Sequence, residues 1–192
     1  MVDSVPSPLS AQFIFEGAHE LLGQERMEQI AGGVAVSEAS LPQAWNFLWS
    51  LESIYGIPGG RGLAFRIGQA AFKYALKSAC QESGLRDKAF YLLPHQRRLE
   101  TGLRILAADI GREWDQMITV TDSGTRWIWR VEGGPDRPGC KFSEPCCHAL
   151  AGLLQAYMTW AGGGRYYRVI QTECCVSGDP ACVFQIEKKP LD

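Results

Sequence analysis

The hydrophobic period of the chain changes once, after Gly111, and that change decides what the chain can fold into. Before it, apolar residues recur at helical spacing. Phe13, Ile14, Ala18, Leu21, Leu22, Met27 and Ile30 form one such run across residues 11–31, interrupted at Gly23 and stopped at Gly32 and Gly33. Ser40 ahead of Leu41-Pro42 offers a capping hydroxyl and a first-turn proline, so a helix is expected from there to about Tyr55. The segment from Gly56 to Gly62 (GIPGGRG) predicts a flexible turn. Leu63, Ile67, Ala70, Ala71, Tyr74 and Ala75 then predict a long helix ending near Ser83-Gly84. Pro94 opens a further helix through Leu99, Leu103, Leu106 and Ile110.

Beyond Gly111 the spacing becomes two. Met117 to Asp122 alternates, Asp122-Ser123-Gly124-Thr125 is a turn signal, and Arg126 to Val131 alternates again, which predicts a β-hairpin. A loop over 133–141 leads to a helix from about Glu144 to Ala161, stopped by Gly162-Gly163-Gly164. Two more strands flank the turn Ser177-Gly178-Asp179-Pro180. Expected strands are 116–122, 126–132, 166–175 and 182–187. The order of elements predicts an α+β fold, a helical layer packed on an antiparallel sheet of about four to five strands, because neither hairpin needs a crossover. A chain of 192 residues fits one domain. Residues 1–10 are expected to form a flexible tail. Residues 11–192 form the domain, with N-terminal helices over 11–113 and hairpin–helix–hairpin over 114–188.

The formal net charge is −2 and no basic stripe stands out, which argues against a nucleic-acid partner. No stretch approaches 18 uninterrupted apolar residues, so no membrane span is expected. The first ten residues lack the basic and apolar regions of a signal peptide, which makes the cytoplasm the expected location. In a reducing compartment clustered cysteines read as a metal or redox site before they read as disulfides. Here Cys140, Cys146, Cys147, Cys174, Cys175 and Cys182 all fall in the last third, and Cys80 stands alone.

Cys174 and Cys182 are eight positions apart, with Gly178 midway. A turn centred on Gly178 makes them cross-strand partners on one sheet face, with Cβ atoms about 5 Å apart. That geometry suits two ligands of one metal, or a disulfide. Cys175 would point to the opposite face. A tetrahedral zinc needs two further ligands, for which Cys140, Cys146, Cys147, His148 and Glu173 are candidates. The helix carrying Cys147 needs only the short glycine link to return along the sheet. Its beginning can therefore lie over the Cys174 end of the next strand. Taken singly, any of these cysteines also suits a small buried apolar position.

The segment from Glu173 to Phe184 (ECCVSGDPACVF) resembles the closing motif of the vinyl-4-reductase (4VR) domain, in which two cysteines face each other across a Gly-Asp-Pro turn ahead of an apolar strand. Cys147 to Gln155 (CHALAGLLQ) resembles the family's cysteine-then-glycine helix. The resemblance covers about residues 140–188 and extends more weakly back to about residue 40. It implies a fold shared with vesicle-tethering TRAPP subunits and, distantly, with haem-nitric oxide sensors. It implies small hydrophobic ligands such as aromatic hydrocarbons, or a place in tetrapyrrole metabolism, and a homodimer. Phenol-sensing relatives hold zinc with a cysteine before the helix, a strand glutamate and the two hairpin cysteines. Carried over, these are Cys147, Cys174 and Cys182, while the glutamate's place is taken by Gln171. Glu173 is next to Cys174, so along an extended strand it points to the face opposite that cysteine and is no simple exchange, which passes the fourth place to Cys146 or His148.

Aromatic side chains are plentiful, with six Trp, six Tyr and eight Phe. Apolar ligand sites are usually walled by such residues. Trp45, Trp49, Phe65, Phe72, Trp127, Trp129, Tyr157 and Trp160 are the candidate walls of a cavity between helices and sheet, although each alone also suits a core. Gly-Gly-Arg-Gly around Arg61 lacks the Lys-Ser/Thr of a P-loop, so no nucleotide cofactor is expected. No nucleophile–base constellation and no electron source is legible, which argues against an enzyme. The expected function is a binding module for a hydrophobic small molecule, acting as sensor, carrier or assembly factor through an effector protein. The alternatives are an accessory protein or enzyme of (bacterio)chlorophyll and tetrapyrrole metabolism, and an interaction scaffold.

Overall fold

The computed structural model describes residues 10–32, 39–78, 84–133 and 146–191. The expected tail up to residue 9, the loop from 134 onward, the first positions of the helix expected from Glu144, and the cysteines Cys80 and Cys140 lie outside the described residues. Among the described residues no helix is long and apolar enough to cross a membrane.

Helix α1 (Ala11–Leu22) begins at Ser10, whose hydroxyl accepts from the Phe13 N–H, and it buries Phe13, Ile14, Phe15 and Ala18. The chain breaks at Gly23 (φ 78°) into α2 (Gln24–Ala31), which ends at Gly32 in the left-handed region. Helix α3 (Leu41–Ser78) is interrupted at one residue, Gly56 (φ 73°, ψ 161°). The seven-residue turn expected over 56–62 is therefore a single-residue kink. Pro58 falls in the first turn of the resumed helix, where a missing N–H costs nothing. Gly60 is packed so closely on the preceding segment that an added Cβ would lie 2.4 Å from the Glu52 nitrogen. After the short α4 (Lys88–Tyr91), α5 (His95–Trp114) runs past the expected stop near Gly111 to a left-handed cap at Asp115.

Strands β1 (Ile118–Asp122) and β2 (Arg126–Glu132) form the first hairpin, α6 (His148–Ala161) follows, and β3 (Val169–Glu173) and β4 (Ala181–Glu187) form the second. All pairings are antiparallel and the sheet order is β1-β2-β4-β3. β3 is shorter than the expected 166–175. Tyr166 is exposed ahead of it, Tyr167 is fully buried with its hydroxyl 2.9 Å from His95 Nε2, and Cys175–Ser177 form a 3-10 turn behind it. Val120, Trp127, Trp129, Val131, Cys182, Phe184 and Ile186 are the buried face of the sheet and join the helices in one core.

Helix α6 is the centre of that core. Its Gly152 lies against α3, where an added Cβ would stand 1.9 Å from the Phe65 carbonyl oxygen, and Gly68 of α3 meets Ala149 in the same way. The two helices therefore touch through their backbones. On α5, Gly102 makes room for Tyr157, whose hydroxyl donates to the Arg98 and Leu99 carbonyls at 2.9 Å each. The small residues of α3, α5 and α6 thus decide how closely α6 is held, and hence where its first residue meets the sheet.

Candidate functional site: a four-thiol cluster and the aromatic core

Cys146 and Cys147 lead into α6, and Cys147 occupies the cap position (φ −86°, ψ 48°). Neighbouring residues in an extended strand would point to opposite sides. Here the chain is turning into the helix, and both sulfurs reach the second hairpin. Cys146 Sγ is 3.7 Å and Cys147 Sγ 3.9 Å from Cys174 Sγ, and Cys147 Sγ is 3.8 Å from Cys182 Sγ. Cys146, Cys147 and Cys174 form a set whose sulfurs all lie within 4.8 Å of one another, and Cys182 adjoins it through Cys147. All four side chains are buried. His148 is the first residue of α6 and is outside this set.

The hairpin presents its cysteines through a register shift. Gln171 pairs with Phe184 while Glu173 pairs with Val183, so Thr172 is an extra residue, a β-bulge. Simple alternation would put Gln171 and Glu173 on one face. With the bulge, Gln171 shares the inner face with Phe184, and Glu173 sits outside, 3.9 Å from Arg130. Gln171 Oε1 accepts from the Cys147 N–H at 2.9 Å and its Nε2 donates to the Glu173 carbonyl at 3.0 Å. Closer to the turn, the 173/183 pairing is centred on Gly178, and Cys174 and Cys182 are the next residues inward. Asp179 locks this end. Its carboxylate accepts from the Cys174 N–H at 2.7 Å, and its own N–H donates to the Cys174 carbonyl. The Cys175 N–H points at Cys182 Sγ, 3.4 Å away.

The thiols are electrostatically unequal. Contacts from Cys146, Cys147 and Cys182 stabilise a thiolate at Cys174 and hold its pKa far below the usual thiol range. Contacts with Cys146, Cys174 and Cys182, together with burial, push the Cys147 thiol well up. For Cys146 the contact with Cys147 pulls downward, but the Cys174 thiolate and burial outweigh it and push the thiol up to about 12. Cys182 is raised in the same way. Of the four, Cys174 is the thiol whose ionised form these contacts favour. A bound cation would supply the positive charge that lets the others ionise. Tetrahedral zinc at about 2.3 Å from each sulfur requires neighbouring sulfurs about 3.8 Å apart; three of the S···S pairs lie at that spacing, while Cys182 falls outside the mutually close set.

The eight expected wall residues separate into groups. Trp45 and Trp49 stack at 6.1 Å, and Trp45 meets Trp114 edge-on at 5.3 Å. Phe72, Tyr157 and Trp160 form a second group with mutual centroid distances of 6.0–6.3 Å, and Phe90 stacks on Trp160 at 5.9 Å. Trp127 and Trp129 stand on the buried face of β2, and neither indole N–H has a hydrogen-bond partner among the described residues. Phe65 is half-buried on α3, where its carbonyl meets Gly152. Described residues also form a cleft at the α1–α2 joint, lined by Leu22 to Arg26 and Gln29, with none of these aromatics in its wall. Sequence reasoning missed Phe90 and Trp114 as partners, since nothing local links them to Trp160 and Trp45. It also missed the His95–Tyr167 pair. There burial, with Arg98 and Arg165 nearby, lowers the His95 pKa and favours the neutral imidazole.

Residues 127–188 match the 4-vinyl reductase domain, the family suggested by the hairpin motif. No curated protein matches the chain. Its fold is similar to that of H-NOX proteins. A mutant one from K. algicida, in the unliganded Fe(II) state, superimposes with a TM-score of 0.60 at 12% identity, covering 94% of this chain and 97% of that one. One from S. oneidensis in the Fe(II)NO state gives 0.61 at 10% identity, covering 92% and 97%. The phenol-responsive sensory domain of the transcription activator PoxR, solved with phenol, superimposes more loosely, at 0.48 and 19% identity over 73% of this chain and 70% of that one.

Proposed function

We propose that this chain is a binding module for a hydrophobic small molecule, of aromatic-hydrocarbon or tetrapyrrole-like character, and that it acts as a sensor, carrier or assembly factor by handing its state to an effector protein. The match to the 4-vinyl reductase domain supports the class of function. The observation that carries the reading is on β2. Trp129 is completely buried, Trp127 nearly so, and both keep an indole N–H without a partner among the described residues. Buried polar groups are almost always hydrogen-bonded. A ligand with an acceptor atom on an apolar body would satisfy such a donor while resting on the ring. Trp45, Trp49, Phe65, Phe72, Tyr157 and Trp160 supply the apolar surroundings in this reading.

The cysteine cluster would hold zinc through Cys147, Cys174 and Cys182, with the fourth position open to Cys146 or His148. The ion would join the start of α6 to the β3–β4 hairpin and so position the helix that carries Tyr157 and Trp160. We place the protein in a reducing cytoplasm, where these thiols stay available, and as a homodimer. Native mass spectrometry of freshly purified protein tests these points together. It is expected to show a dimer with one zinc per chain and a retained or exchangeable small molecule. Binding is then titrated with an aromatic series by tryptophan fluorescence. Trp129→Phe keeps an aromatic ring, though a smaller one, and removes the N–H, so acceptor-bearing ligands are expected to weaken about two- to tenfold more than pure hydrocarbons. Absence of saturable binding across the series would turn the reading to an interaction scaffold.

A further inference from the structure

We propose that the metal centre is a closed, all-sulfur site in which Cys146 supplies the fourth ligand, and that Gln171 lies outside the coordination sphere as a positioning residue. This rests on the zinc reading above and selects its coordination set. Cys146 makes the shortest sulfur contact of the cluster, 3.7 Å to Cys174, and shares with Cys147 the turn into α6 that aims both side chains at the hairpin. Gln171 occupies the inner face of the bulge, yet both ends of its amide are already engaged, with the Cys147 N–H and the Glu173 carbonyl. Its oxygen serves the backbone of a ligand residue rather than a metal. The charge balance is consistent with that division. Four thiolates around a divalent cation leave a net charge of −2, and a strand carboxylate at Gln171 would add to it. The neutral amide does not. The Cys175 N–H directed at Cys182 Sγ and the N-terminal end of α6 offset the remaining charge.

Three of the sulfur pairs stand 3.7–3.9 Å apart, a spacing that suits one ion and not an iron–sulfur core, with Cys182 joined through Cys147, and thiolates select soft cations over magnesium or calcium. A four-thiolate site has no open position, so it is structural and generates no metal-bound hydroxide. Zinc K-edge X-ray absorption on the full chain, never exposed to chelator, reads the ligand set directly. Four sulfur scatterers at about 2.3 Å and no nitrogen or oxygen are expected. Cys146→Ser is expected to convert this to three sulfurs and one light atom, and Gln171→Ala to leave four sulfurs. Three sulfurs with one nitrogen or oxygen in the wild-type protein would overturn the proposal, as would a Cys146→Ser spectrum identical to wild type or a Gln171→Ala change in the first shell. If Cys146→Ser fails to fold, the wild-type spectrum alone decides. Less than about a tenth of a zinc per chain by elemental analysis would remove the zinc reading itself, which is a different failure from zinc held by only three sulfurs.

Discussion

The two ends of α6 are built on opposite principles. At its start, four buried thiols meet through three S···S contacts of 3.7–3.9 Å, an arrangement suited to a soft metal ion. Toward its other end, Tyr157 and Trp160 are held by Phe72 and Phe90, by backbone carbonyls of α5 and by glycines that let helices touch. The first end offers ligand atoms to a metal ion. The second is satisfied by the chain alone. One helix therefore links a thiol cluster to an apolar interior, and a change at either end has a rigid element through which to reach the other.

The largest expected effect separates the ends outright. Stripping the metal from the zinc-loaded protein should lower the thermal midpoint by about 10 °C or more, since structural zinc contributes many kcal/mol and a chain of this size shifts about 2–4 °C per kcal/mol. Calorimetry with and without chelator measures it, and an unchanged midpoint would make the cluster a set of inert thiols. Next, Phe72→Ala should destabilise by about 4 kcal/mol through a cavity beside Tyr157 and Trp160. Its zinc content should remain that of wild type, because no cluster contact is touched. Gly152→Ala should cost about 3 kcal/mol by forcing α3 and α6 apart. Denaturant unfolding reads the loss, and a neutral result would mean that the helices are not in backbone contact. The smallest effect is a pH dependence at His95. Its folded pKa is depressed, so the native state resists protonation. Its contribution is present above the unfolded value near 6.5 and is lost as pH falls through the folded value. His95→Gln should flatten that acid limb. Stability profiles from pH 7 to 5 that coincide for the two proteins would sink the assignment.

The hairpins were legible because alternation and turn chemistry are local. The midpoint of Cys174 and Cys182 at Gly178 foretold the register next to the turn, and the 173/183 pairing has that centre. Helices broken at Gly23 and ended at Gly32 were legible for the same reason. The bulge at Thr172 was not. An extra residue on one strand is decided by what its neighbours must bury, here by Gln171 turning inward to meet Cys147. Parity counted along the chain puts Gln171 and Glu173 on one face, and only the bulge separates them. Nor could spacing choose between Cys146 and His148, since that depends on the angle at which the chain enters α6.

By itself the sequence determined the class of fold and the approximate positions of the strands, because periodicity and turn residues act within a few positions of themselves. Tertiary structure alone decided that β4 lies between β2 and β3, that a seven-residue turn collapses to a kink at Gly56, and that Cys146 stands 3.7 Å from Cys174. Those outcomes rest on contacts between residues distant in the chain, where the closest approach of two backbones is set by glycines such as Gly68 and Gly152 whose role becomes visible only once their partners are in place.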